Sequence, residues 1–158
     1  MRAFFSDDAD VKTRMGDRTV VRAPAGAAGA PAPGPALPVN QALGRSRGGF
    51  STKIHLLVNG IGNPLRAILT PGQAADSPQV PTLFDQFSAS FAILDKAYDP
   101  DAVLAFFENQ GTIPVIPPKA NRVVQRDYDR QLYKERNLIE CFIGKMKQFR
   151  RVFSRFDK

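Results

Sequence analysis

Cysteine and histidine are nearly missing from this chain, with Cys141 and His55 the only examples. A lone thiol excludes an internal disulfide and any cysteine-based zinc cluster, and Cys141 reads as an inert thiol rather than a nucleophile. His55 sits inside TKIHLLV with no second histidine to share a metal, so it reads as a strand histidine. Long apolar runs are absent too. Nothing approaches the roughly 18 consecutive apolar residues of a membrane-spanning helix, and MRAFFSDDAD lacks the basic-then-apolar pattern of a secretory leader. The expectation is a cytoplasmic protein with no membrane partner. Acidic residues are scarce in one region only: residues 119 to 158 hold 12 Lys/Arg against 5 Asp/Glu, while the preceding 118 residues are balanced at 10 and 10. The whole net charge of +7 therefore lies in the last quarter. That placement suits a polyanion, because each phosphate contact by Lys or Arg releases condensed counterions. A solvated helical face remains the plain alternative.

A chain of 158 residues with 43% apolar content is long enough for one domain with a real core. Residues 23 to 44 are 17 parts in 22 Ala, Pro and Gly. That composition offers too little apolar area to bury, and its prolines interrupt helix and sheet alike. A flexible linker over 23–50 is expected, after an N-terminal segment (1–16) of uncertain structure. Near it only TVVRA (19 to 23) has the β-branched run of a strand. Two apolar segments, 52 to 58 and 65 to 70, flank the turn-rich NGIGNP and predict a hairpin. Ser77 and Pro78 are placed to cap and open a short helix. FAILDKAYD predicts a buried strand ending at Asp95, DPDAVLAFFENQG a helix with Asp99 and Asp101 as turn and cap, and TIPVIPP a further strand. The order of strands followed by β-α-β-α favours an α/β sheet with helices packed on it.

The final stretch, from about Asp129 to Phe153, predicts one long basic helix. At 100° per residue, Leu132, Leu138, Ile139, Phe142, Ile143, Met146 and Phe149 form its core stripe, with Glu135 the exception inside that arc. Tyr133, Arg136, Glu140 and Lys147 share a narrow border strip. Such a strip can wall a cleft, or it can be ordinary charge pairing on a wet helix. Asp95 stands at the carboxyl end of its strand, where sites of open α/β sheets gather, although an aspartate there can also simply turn the chain. Asp95 and Glu140, joined by a third carboxylate, could hold hard cations such as magnesium, which prefer oxygen donors and suit in-line phosphoryl transfer. Basic groups beside them would hold nucleic-acid backbone.

Tyr133, Arg136, Glu140 and Lys147, with two, three and six residues between successive members, match in full the Y(2)R(3)E(6)K signature of DDE transposases from bacterial insertion sequences. Residues 44 to 76, ILDKAYD, VIPPKANR and QFRRVFSRFDK also resemble that family, so that the likeness runs over about residues 17 to 158. It implies an RNase H-like mixed sheet flanked by helices, a DDE catalytic domain over 17–158 incomplete at its C-terminus. It implies too the cutting of element ends and their joining to target DNA with Mg2+ or Mn2+. By motif Asp95 is the second acidic residue of the triad, Glu140 the third and Asp17 the first, since DRTVVRA is similar to the family's D-S-T-V-V-R-A strand. All three would bind metal. Tyr133, Arg136 and Lys147 would position DNA phosphates or the glutamate, and Lys119 and Arg122 would extend the same track, unless they merely solubilise their loop. Arg18 replaces the family's usual Ser, Ala97 its Gly, and PAGAAGAPAPG its His-containing stretch. VKTRMG lacks the apolar run of a central strand. The chain reads as a partial or split-frame product, with a homo-oligomer in a synaptic complex as the family's form of assembly. A catalytically inactive DNA-binding fragment and a nuclease that does not join strands are the rival readings.

Overall fold

The computed structural model describes residues 12–24, 42–149 and 152. Its centre is a six-stranded mixed sheet. β1 (Thr13–Arg22) pairs antiparallel with β3 (Gly49–Asn59) along almost its whole length, Arg14 opposite Asn59 through Arg22 opposite Ser51. The other edge of β3 carries the short β2 (Gly44–Ser46) and then β4 (Pro64–Pro71). On its far side β1 pairs in parallel with β5 (Phe91–Leu94), which pairs in parallel with β6 (Ile113–Val115). This is the RNase H-like mixed sheet with helices on both faces that the sequence leads one to expect.

Period-two alternation sorts the strands' side chains onto two faces. Leu57, Ala92 and Leu94 face a core closed by helix α1 (Val80–Phe84) and helix α2 (Asp101–Asn109), through Leu83, Phe84 and Phe107. Met15, Leu56, Val58, Ile93 and Val115 face the opposite core. The final helical segment covers that one: α3 (Arg130–Tyr133), a 3-10 turn (Lys134–Arg136) and α4 (Asn137–Met146), whose Ile139 and Ile143 are buried. Its start is capped by Asp129, whose carboxylate accepts from the Gln131 and Leu132 amides at 2.9 Å.

Several sequence expectations are met in kind but not in extent. The hairpin forms as expected, with the Asn59 carboxamide accepting the Asn63 amide at 2.8 Å and Gly62 at φ 86°. The strand expected at 19–23 begins instead at Thr13, because an interior strand bonded on both sides is stabilised by its neighbours more than by its own composition. Residues 44–46 and 49–50, assigned to the linker, belong to β2 and β3; the central part of that linker lies outside the described residues. The short helix is opened by Asp76 rather than Ser77, as a 3-10 turn over Ser77–Gln79 that leads into α1. β5 stops at Leu94, and Asp95 caps a 3-10 turn (Lys96–Tyr98). The long helix is not one regular rod: a 3-10 turn interrupts it, and of the expected core stripe Leu138 and, beyond the end of α4, Phe149 are exposed while Leu132, Ile139, Phe142, Ile143 and Met146 pack on the core. Its projected end near Phe153 lies outside the described residues. His55 is the buried strand histidine expected, its Nε2 2.8 Å from Thr70 Oγ1, and burial lowers its pKa.

Candidate active site

The sheet splits where its carboxylates stand. β1 is bonded to β5 only from Thr13 to Gly16, after which β5 turns away and the upper half of β1 keeps β3 alone. Gly16 lies opposite Leu94 in this parallel ladder, so the next residue on each chain, Asp17 and Asp95, falls at the same level. The approach is close there: a methyl group at Gly16 would come within 2.9 Å of Leu94 Cδ2. Alternation from Met15 and Ile93 gives Asp17 and Asp95 the sheet face that α4 covers. Such a fork at strand ends is where α/β sheets open a crevice.

From α4 and the turn before it come the remaining groups. Arg136 Nη2 donates to Asp17 Oδ2 at 2.7 Å, and Arg136 Nη1 is hydrogen-bonded to Glu140 Oε1 one helical turn on. The guanidinium thus joins two of the three carboxylates. Asp17 is buried, and that burial raises its pKa; Arg136 and the Arg18 amide, 2.8 Å from Oδ1, oppose the rise, while Asp95 and Glu140 add to it. Burial works against the charge on Arg136, but Asp17, Tyr133, Glu140 and Asp95 more than restore it. Tyr133 stacks edge-on against Tyr128 with ring centres 5.5 Å apart, and burial raises its phenol. Asp95 accepts the Ala97 amide at 2.6 Å. It therefore turns the chain and faces the crevice at once.

Asp17, Asp95, Glu140, Arg136 and Tyr133 accordingly form one electrostatic neighbourhood. Lys147 stands apart from the acids: it is the exposed C-cap of α4 and has no ion pair among the described residues. Lys119 and Arg122 lie on the loop after β6, and their nearest partners are structural. The buried Asp99 accepts the Lys119 amide at 2.9 Å and pairs with Arg122 at 3.3 Å and Arg126 at 2.5 Å. Burial would raise Asp99, yet the Lys119 amide and the two arginines hold it below the ordinary carboxylate range. The cap reading is corrected by this geometry, since Pro100 is the N-cap of α2 and Asp101 its first residue; Asp99 ends the 3-10 turn as a turn residue should, and also anchors a loop some twenty residues away.

Other groups at the crevice escaped the sequence reading. A cleft of about 590 Å³ beside Asp95 is lined by Arg18, Asp76, Lys96, Lys119 and Asn121. Asp76 pairs with Arg18 at 2.5 Å and Lys53 at 2.8 Å, joining the hairpin to β1. Tyr98 is wholly buried beneath, its phenol pushed up by burial, with Asp76, Asp17 and Asp95 adding to the shift. Of these, Lys119 was already a candidate for the DNA track and Arg18 was marked as a charge where the family has Ser; no spacing rule points to Asp76, Lys96 or Asn121.

Carboxylates from β1, the end of β5 and α4 are oxygen donors of the kind a hard divalent cation takes. Among the described residues no three His, Cys, Asp or Glu side chains already form a cation cage, and the positive group between Asp17 and Glu140 is Arg136. The donor chemistry fits, with a side-chain cation standing between two of the donors.

The family described as the transposase DDE domain matches residues 17–156. The chain is 39% identical over 111 residues to the "Putative transposase for insertion sequence element IS6501" of Brucella ovis, a match covering 69% of this chain and 85% of that protein.

Proposed function

The chain belongs to the transposase DDE domain family, and on that premise we propose that it cleaves the ends of an insertion sequence and transfers the strands to target DNA with the help of divalent metal. The observation that carries the reading is the fork between β1 and β5, with Asp17 and Asp95 level on neighbouring strands and Glu140 tied to Asp17 through Arg136. Asp17, Asp95 and Glu140 are the residues that would hold Mg2+ or Mn2+. The chemistry gained from a cation held there is activation of the attacking water or 3′-hydroxyl and neutralisation of charge on the leaving oxygen. The chain's own groups do the rest. Arg136 opposes the rise that burial imposes on the pKa of Asp17 and draws Glu140 toward it. Arg136 thereby positions the glutamate, while Tyr133 and Lys147 offer donors to the phosphate backbone and Lys119 extends them across the cleft. Arg122 braces the loop that carries Lys119. DNA is thus the proposed substrate and partner.

The deciding experiment is a Mg2+- or Mn2+-dependent cleavage and joining assay on terminal inverted-repeat DNA, comparing the parent with Asp17→Ala, Asp95→Ala and Glu140→Ala. Each substitution should abolish both steps while leaving duplex binding in place. Cleavage that survives any of the three would remove that residue from the proposed triad.

A further inference from the structure

The loop over 116–129 joins β6 to α3 and is braced far more firmly than a simple connection requires. Asp99, 2% exposed, receives the Lys119 amide and the guanidinium groups of Arg122 and Arg126. Arg122 also donates to the Asp99 carbonyl at 2.9 Å and pairs with Asp101. Within the loop, the Gln125 carboxamide donates to the carbonyls of Lys119 at 3.1 Å and Arg122 at 2.9 Å. Of the loop's polar residues, Lys119, Asn121, Gln125 and Asp127 stay exposed, while Arg122 and Arg126 are turned inward onto Asp99.

Its crest is the reverse. Val123 is 99% exposed and Val124 71%, two adjacent β-branched side chains that are stiff at χ1 and contribute little to either core. Two residues before them, Asn121 lines the cleft into which Asp95 opens, with Lys119 and Arg18 beside it. A rigid apolar tip held at the rim of a charged cleft is the shape of a wedge, the device by which proteins part stacked base steps.

We infer that Val123 and Val124 press between bases of a DNA duplex next to the phosphodiester that Asp95 faces, opening the stack at that step. The inference rests on the transposase reading above. DNA is the occupant that the charges favour: the tip lies in the quarter of the chain that holds the whole net charge of +7, which attracts a polyanion and repels a second copy of itself. Because Arg122 and Arg126 are bound to Asp99, they fix the angle of the wedge, and the contact at the tip is apolar.

The test uses the full chain and a synthetic duplex ending in the element's terminal inverted repeat, with 2-aminopurine replacing adenines near the cleavage position. Fluorescence of this base rises when its stacking is lost. The parent should raise the signal severalfold on binding. Val123→Ser combined with Val124→Ser should bind with the same salt dependence yet leave the signal at that of the free duplex, and leucine at both positions should restore it. Equal signals from parent and serine variant, with both bound, would overturn the wedge and leave the transposase reading intact. A parent that binds no duplex would overturn both. Sedimentation showing that the serine pair breaks a dimer, with no change in fluorescence, would assign the valines to a contact between copies instead.

Discussion

Asp17 is held where a carboxylate is disfavoured, and only its neighbours in the crevice give that position a use. Its folded-state pKa lies above 3.8, so protons bind the native state more tightly than the unfolded one. The contribution of Asp17 to stability is therefore greatest in acid and is lost as pH rises from 3.8 through the folded value. Asp17→Asn removes that loss. It should raise the unfolding free energy near neutrality by about 1 kcal/mol, as substitutions that relieve functional strain do, with the gain fading toward pH 4; urea melts at both ends of the range check it. Arg136 is the counterweight. Arg136→Gln leaves Asp17 facing Asp95 and Glu140 without a cation and should cost about 2 kcal/mol, the scale of a charge-assisted hydrogen bond lost from a buried partner. If the guanidinium occupies the electrostatic place of a metal ion, added Mn2+ should raise the melting temperature of Arg136→Gln more than that of the parent. Equal shifts in thermal melts would dissociate Arg136 from cation binding.

Among the elements, the loop after β6 depends on one side chain. Asp99→Asn should lower stability by about 2 kcal/mol, the low end for breaking a buried ion pair, because the Arg122 and Arg126 side chains keep 20% and 25% of their surface in water. Thermal unfolding measures it, and proteolysis should then cut first near Val123. This clamp also marks the boundary of what the sequence could disclose. Elements with their own periodicity were legible: the hairpin around Gly62, the stripe of Ile139 and Ile143, the start of the last helical segment near Asp129. Local helical spacing likewise put Tyr133, Arg136 and Glu140 on one border. What stayed hidden depends on pairing across long stretches of chain. β1 is a strand from Thr13 because β3 and β5 flank it, which TRMG alone does not suggest. Asp99 and Arg126 meet across 27 residues, and Asp76 meets Lys53 across 23, with no pattern in either segment to announce it. Asp17 was found by likeness to a family strand and not by any property of its own neighbourhood.

At the scale of the whole molecule the charge is lopsided, and the structure divides the basic residues into two kinds. Some are committed inside the fold: Arg122 and Arg126 to Asp99, Arg18 and Lys53 to Asp76, Arg136 to Asp17 and Glu140. Others, such as Lys147 at the end of α4, face water and have no ion pair among the described residues. Only the second kind can release counterions from DNA without first breaking an internal pair, so the two kinds should separate in a salt titration. Lys147→Ala should flatten the plot of log binding constant against log salt by about 0.9, one phosphate contact's share, and leave the melting temperature unchanged. Arg122→Ala should do the opposite, lowering the melting temperature while its salt slope stays that of the parent. Both are read from fluorescence anisotropy on one duplex over a range of salt, with thermal melts of the same preparations. A slope change at Arg122 equal to that at Lys147 would mean that the Asp99 clamp opens when DNA binds, and that the loop is a moving part and not a fixed rim.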